Sequence, residues 1–252
     1  MVKVKVGNFE VGGDVFTVIG GPCVIEDLDT CLEVATHLKA VTRELGLNLI
    51  FKSSYEKDNR SSASGFKGPG LEDGLRILAE VKSRVDVPVL SDVHCREQVG
   101  RAAEVLDVIQ IPAYLSQQTE LALAVGRSGR VANVKKGQFV APEDMKAVVS
   151  KIRSTGNTNI ILTERGSSFG YRRLVIDMRA LPIMRSLDCP VIFDATHAVR
   201  IYGHPSSDPA GGEPQFIPYL ARAAVATGVD GLFLETHPEP KRAMCDSSSM
   251  LP

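Results

Sequence analysis

Residues 190–235 read PVIFDATHAVRIYGHPSSDPAGGEPQFIPYLARAAVATGVDGLFLE, and their pattern decides the fold. Val191–Phe193 is a short apolar run that ends in Asp194 and, just beyond, His197. A loop rich in Gly, Pro and Ser follows (Arg200–Gly212), then an amphipathic segment, Phe216–Thr227. A second apolar run, Gly231–Leu234, ends in Glu235 and His237. A strand buried on both faces is continuously apolar, whereas a surface helix is apolar along one stripe only. The stretch is therefore a strand, a helix and a second, parallel strand.

The same pattern repeats toward the N-terminus. Apolar runs lie at Val15–Gly20, Leu47–Phe51, Pro88–Ser91, Val105–Ile111, Arg130–Val134 and Asn159–Leu162. Helical periodicity fills the intervals at Leu28–Leu45, Leu71–Val85, Glu97–Val105, Gln118–Val125 and Pro142–Ser154. Eight runs at intervals of about 30 residues predict repeated βα units on a parallel sheet. That number in a chain of this length favours a closed (β/α)8 TIM barrel over an open doubly wound sheet. We read residues 1–252 as one such domain. Val2–Val6 and Phe9–Val11, around Gly7-Asn8, read as a short β-hairpin that caps the N-terminal mouth. After Glu235 little sequence remains for an eighth helix, so the C-terminus reads as short.

Composition narrows the class. The 252 residues carry 29 Lys+Arg against 30 Asp+Glu, a net charge of −1, which argues against a general nucleic-acid binder. No apolar run approaches the roughly 18 residues that span a bilayer. Met1–Gly20 lacks the basic start and apolar stretch of a signal peptide. The five cysteines (Cys23, Cys31, Cys95, Cys189, Cys245) are odd in number and scattered, which is no disulfide framework. A reduced, cytoplasmic protein is expected.

In such a barrel the active site lies at the C-terminal ends of the strands. The polar residues after the eight runs are Cys23; Lys52, Ser54 and Lys57; Asp92 and His94; Gln110; Lys135 and Lys136; Glu164 and Arg165; Asp194 and His197; and Glu235, His237 and Asp246. Lys52, Lys57, Arg60, Lys135 and Arg165 suit a phosphate or carboxylate ligand, although any single lysine is equally read as a solvated charge. Cys23, His197, Glu235 and Asp246 offer thiolate, imidazole and carboxylate, the donors of a divalent transition metal. Their spacing matches no zinc finger, so the barrel supplies the argument: strands one, seven and eight become neighbours on closure. Cys31, Cys95, Cys189 and Cys245 are read as packing residues. Arg200–Gly212 reads equally as a surface loop or as a lid over the site.

The strings GGPCVIE, FKSSYEKDNRSS, GPGLEDGL, SDVH, IQIPAYL, NVKKGQF, TERGSSFGY, FDATHAV, LETHPEP and CDSSSMLP occur in this order between Gly20 and Pro252. Together they resemble the 3-deoxy-D-manno-octulosonate 8-phosphate synthases. The resemblance implies a homotetramer of (β/α)8 barrels in the cytoplasm. It implies condensation of phosphoenolpyruvate with D-arabinose 5-phosphate and water, giving the octulosonate phosphate and inorganic phosphate for the lipopolysaccharide inner core. By matching motif positions, Lys52, Ser54, Lys57, Gln110, Pro112, Ala113, Lys135 and Arg165 would hold phosphoenolpyruvate. Asn59, Arg60, Ser61, Asp92 and His94 would hold the pentose phosphate, Arg60 and Ser61 from a neighbouring subunit. Cys23, His197, Glu235 and Asp246 would bind the metal, and Cys within Gly21-Pro22-Cys23 marks the metal-dependent class. Zn²⁺, Fe²⁺ and Mn²⁺ all suit such a set. His197, Asp246, Glu235 and Lys57 form the candidate catalytic group.

The related heptulosonate phosphate synthases, which take erythrose 4-phosphate, carry Lys-Pro-Arg-Thr where this chain has Lys57-Asp58-Asn59-Arg60-Ser61-Ser62. That relative, and a barrel that binds sugar phosphates without turning them over, are the alternatives. The chain departs from the octulosonate pattern at Asp58 (usually Ala), Tyr114 (usually Phe) and Arg200 (usually Gln). Cys245-Asp246-Ser247-Ser248 mixes features of the metal-dependent and metal-independent classes.

Overall fold

A computed structural model describes residues 2–58, 65–205 and 208–252. Two short antiparallel strands, β1 (Val4–Val6) and β2 (Phe9–Val11), form a hairpin. Eight parallel strands then close into a barrel: β3 (Thr17–Gly21), β4 (Asn48–Lys52), β5 (Val89–Asp92), β6 (Val108–Ile111), β7 (Val131–Lys135), β8 (Ile160–Glu164), β9 (Val191–Asp194) and β10 (Gly231–Glu235). β10 pairs with β3 to complete the ring.

Around the barrel run α1 (Leu28–Glu44), α2 (Leu71–Val81), α3 (Arg96–Val105), α4 (Thr119–Arg127), α5 (Met145–Arg153), α6 (Ala180–Arg185) and α7 (Ile217–Thr227). The segment expected as one helix over Leu71–Val85 is α2 followed by a wider helical turn, Lys82–Asp86. The six-residue α6 was not expected. It is too short for a periodic signal and contains Pro182, yet it buries Leu181 and Met184. Beyond β10 the described residues form a single 3-10 helical turn, Pro240–Arg242, and no α-helix.

Strand periodicity sorts the apolar residues. One side chain from each strand points inward: Ile19, Ile50, Leu90, Val108, Val131, Ile161, Ile192 and Phe233. They pack with Val4, Val6 and Val11, so the hairpin plugs the N-terminal mouth. The alternate positions, such as Val18, Leu49, Val89, Ile109, Val134, Leu162 and Phe193, pack outward in the larger core beneath the helices.

The period of two also builds the other mouth. Two residues beyond the inward apolar ring lie Lys52, Asp92, Gln110, Asn133, Thr163, Asp194 and Glu235, and four beyond it lie Cys23, Lys135 and Arg165. β3 bears no side chain at the corresponding place, Gly21. Its φ is +151°, and a Cβ there would collide with the carbonyl oxygen of Lys52. The C-terminal segment folds back on the same rim. Leu251 N–H donates to the Glu235 carbonyl at 3.0 Å, and Ala243, Cys245 and Met250 pack against Cys23 and Val24.

Candidate active site

The C-terminal mouth opens on about 430 Å³ of space, part of it continuous with solvent, lined by Lys52, Lys57, Asp92, Gln110, Pro112, Ala113, Tyr114, Lys135, Gln138, Arg165 and His197. A larger cleft of about 790 Å³ lies outside the barrel, between 173–176 and α7, with a mostly apolar lining. That cleft also carries Arg173, Arg200 and Glu213, but the buried cations and carboxylates of the strand ends converge in the mouth, and we assign the site there.

Lys52, Lys57 and Lys135 are held by carboxylates, and Arg165 by a tyrosine hydroxyl, rather than left in solvent. Lys52 is fully buried and donates to Glu235 Oε1 and to the Cys23 carbonyl, both at 2.7 Å. Lys57 lies 3.9 Å from Asp92. Burial disfavours its charge, but Asp92, with Cys23 and Glu235 farther off, overcomes this and raises the ammonium well above its ordinary pKa. Lys135 donates to Asp194 and stands over the Phe233 ring, 3.5 Å from its centroid. There burial outweighs Asp194 and Glu235, and its pKa is lowered. Arg165 donates to Tyr202 Oη at 2.6 Å, and Gln138 donates to the same hydroxyl at 2.6 Å.

Asp92 and His94, expected at the pentose, meet Ser54, expected at phosphoenolpyruvate. Ser54 Oγ donates to Asp92 Oδ1, and His94 Nε2 lies 3.2 Å from Oδ2. Burial raises the Asp92 pKa, but Lys57 and His94 outweigh it and hold the carboxyl well below its usual range. Ser54 and His94 thus reach the mouth through Asp92. Asn59, Arg60 and Ser61 lie outside the described residues.

Strand register separates two pairs that the sequence left adjacent. Lys135 and Arg165 face the mouth. Lys136 and Glu164 are one position away, so they point to the other face of their strands. Lys136 Nζ lies 3.6 Å from Glu164 and donates to the Gly137 and Val140 carbonyls and to Ser167 Oγ. Glu164 Oε1 accepts from the backbone N–H of Arg165 and of Gly166 at 2.9 and 2.6 Å. The pair fixes the backbone under Arg165 instead of lining the cavity.

The four expected metal ligands lie at one side of the mouth. His197 Nδ1 is 2.7 Å from Asp194 Oδ2, which leaves Nε2 3.5 Å from Asp246 Oδ2 and 3.7 Å from Glu235 Oε2. Cys23 Sγ is 3.5 Å from Asp246 Oδ2. The donor atoms of His197, Glu235 and Asp246 lie within 4.8 Å of one another, as do those of Cys23, Cys245 and Asp246. Asp246 joins the two groups. Burial raises its pKa and that of Glu235, yet nearby cationic groups prevail and hold both carboxyls low. The Cys23 thiol is pushed well above its ordinary pKa, first by burial and then by Cys245 and Asp246.

These residues fit a divalent metal. Glu235 Oε2 is buried with no hydrogen-bond partner, an arrangement that a cation would satisfy. A carboxylate on the far ring nitrogen of a ligating histidine, here Asp194, is the usual support for such a ligand. Asp194 was legible as a strand-end carboxylate, but its orienting role was not. Cys245 was read as a packing residue. It does pack, with Val24, Ala243 and Met250, and its sulfur also lies 3.0 Å from Cys23 Sγ, a contact across 222 residues that no local pattern signals. Arg200 Nη1 lies 3.1 Å from Ser248 Oγ and 3.5 Å from Asp246 Oδ1, so this departure from the expected glutamine touches the metal side of the mouth. Tyr202, on the same loop, was not singled out by sequence.

A sequence profile of the DAHP synthetase I family matches residues 1–252. A 2-dehydro-3-deoxyphosphooctonate aldolase of Syntrophotalea carbinolica is 54% identical over 98% of this chain and 90% of its own length. The protein of that name in Geotalea daltonii is 56% identical over 98% of this chain and 91% of its own. The one in Geobacter sulfurreducens is 53% identical over 97% and 90%.

Proposed function

The chain belongs to the DAHP synthetase I family, and we propose from this premise that it condenses phosphoenolpyruvate with D-arabinose 5-phosphate and water. The products are 3-deoxy-D-manno-octulosonate 8-phosphate and inorganic phosphate. One observation carries the reading: Lys52, Lys57, Lys135 and Arg165 converge, nearly dry, on one mouth in a chain of almost zero net charge.

Phosphoenolpyruvate presents a carboxylate and a phosphate, and these cations bind and orient both. Arg165 suits planar bidentate contact and the lysines act as point charges. Holding the alkene carbon against the pentose aldehyde removes the entropic cost of their encounter. As the new carbon–carbon bond forms, the aldehyde oxygen becomes an alkoxide. Lys57, kept an ammonium by Asp92, donates a hydrogen bond to that oxygen. Water adds at the other alkene carbon, and phosphate leaves. Asp194 holds His197 by Nδ1, so Nε2, Glu235 and Asp246 are the groups that hold or move protons beside the incoming water. A divalent ion held by Cys23, His197, Glu235 and Asp246 would supply positive charge that orients the aldehyde and acidifies water.

Exposed Tyr114, Phe139, Phe169 and Tyr171 support the homotetramer implied by resemblance, which light scattering after gel filtration would check. No helix among the described residues is long and apolar enough to cross a membrane, in keeping with a cytoplasmic enzyme.

The deciding experiment measures phosphate release from phosphoenolpyruvate with arabinose 5-phosphate or erythrose 4-phosphate, before and after chelation and with divalent metal restored. Release with the pentose alone, lost on chelation and regained with metal, is expected. Release with the tetrose alone would reassign the substrate. Release untouched by rigorous metal removal would return Cys23 to a packing role.

A further inference from the structure

The metal side of the mouth holds a second thiol. Cys245 is 2% exposed and Cys23 is fully buried. Their sulfurs lie 3.0 Å apart, and Asp246 Oδ2 lies 3.5 Å from Cys23 Sγ. A cysteine that merely packs meets carbon. This one presents its sulfur to a thiol beside a carboxylate that is shared with His197 and Glu235. The backbone is shaped for the arrangement. Asp246 adopts a left-handed conformation, φ +50°, which few non-glycine residues take and Asp tolerates better than most. A tight turn, with Ser249 N–H donating to the Asp246 carbonyl at 2.9 Å, fixes that conformation. Consecutive residues 245 and 246 therefore both reach Cys23.

We propose that Cys245 is a ligand of the metal, so that the site offers two thiolates and takes a thiophilic divalent ion in preference to manganese. This rests on the metal dependence proposed above. Two sulfurs bound tetrahedrally to one zinc at about 2.3 Å stand about 3.8 Å apart. The observed thiol pair needs to open by less than an ångström to reach that separation. Soft sulfur donors favour zinc, cobalt and cadmium, whereas manganese prefers oxygen.

The test uses cobalt(II) as the probe, bound to the full chain under reductant. Thiolate-to-cobalt absorbance is normalised to bound cobalt from elemental analysis. Cys245→Ser and Cys23→Ser are each expected to lower that absorbance to about half, and the double variant to abolish it, because the band counts sulfur ligands. Cadmium-113 resonance of the unsubstituted chain reads the same count without a variant and is expected in the two-sulfur range. Cys245→Ser is also expected to lower cadmium affinity more than manganese affinity. Unchanged absorbance per cobalt in Cys245→Ser, or a one-sulfur cadmium shift, overturns the role of Cys245 and leaves a metal site with Cys23. Failure of the unsubstituted chain to take up cobalt or cadmium overturns the metal dependence itself.

Discussion

Replacing Lys52 with methionine removes the cation that holds Glu235 while keeping most of the side-chain volume. Lys52 Nζ and Glu235 Oε1 are 2.7 Å apart, and each side chain is 1% exposed. At an effective dielectric of 20, that separation corresponds to about 6 kcal/mol of attraction, much of it offset by the desolvation of both charges. Breaking such a pair from one side costs about 3–5 kcal/mol, because the other charge is left buried and unpaired. Glu235 would be stranded in this way, since its Oε2 already lacks a hydrogen-bond partner. His197, 3.7 Å from Oε2, and Lys57 also stabilise this carboxylate, so the lower end of the range, about 3 kcal/mol, is expected. For a chain of this size that is a fall of about 6–12 °C in Tm. Calorimetry in chelator would compare the parent, Lys52→Met, Glu235→Gln and the double variant. Neutralising Glu235 removes the stranded charge, so the double variant should melt above Lys52→Met. A double variant that melts at or below Lys52→Met would refute the reasoning.

Three further outcomes follow from the same site. Arg165→Ala should weaken phosphoenolpyruvate binding by about 10–100-fold in calorimetry, the worth of one or two charge-assisted hydrogen bonds; unchanged affinity would remove Arg165 from the phosphate. Cys23→Ala should bind metal more weakly in titrations and lose most phosphate release, and a metal affinity equal to the parent's would remove it from the ligand set. His94 supplies a pH signature. Burial lowers its pKa but Asp92 overcomes this, and the net shift is upward from 6.5. Its stabilisation is therefore complete below pH 6.5 and is lost as pH rises through the higher folded value. The stability gap between the parent and His94→Gln in urea unfolding should accordingly narrow from pH 6 to pH 9, and a gap that widens would reverse the assignment.

Sequence by itself determined the barrel. Eight short apolar runs separated by amphipathic segments have few other ways to bury both faces of a parallel sheet, and the strands fall within a few residues of those runs. It also determined the polar inventory of the mouth, because residues just after such runs must emerge at one rim. Register was harder to read, since neighbouring polar residues alternate faces. Only the inward ring of Ile19, Ile50, Leu90 and their partners shows that Lys135 and Arg165 face the cavity while Lys136 and Glu164 face away. Contacts across long sequence separation were not legible at all. Lys52 on Glu235, Tyr202 on Arg165 and Cys245 on Cys23 join loops and strands that meet only when the barrel closes and the last residues fold back beside β10. Local pattern reports which face of an element a side chain occupies. Which charge or thiol waits opposite depends on how distant segments pack, and tertiary structure alone decided that.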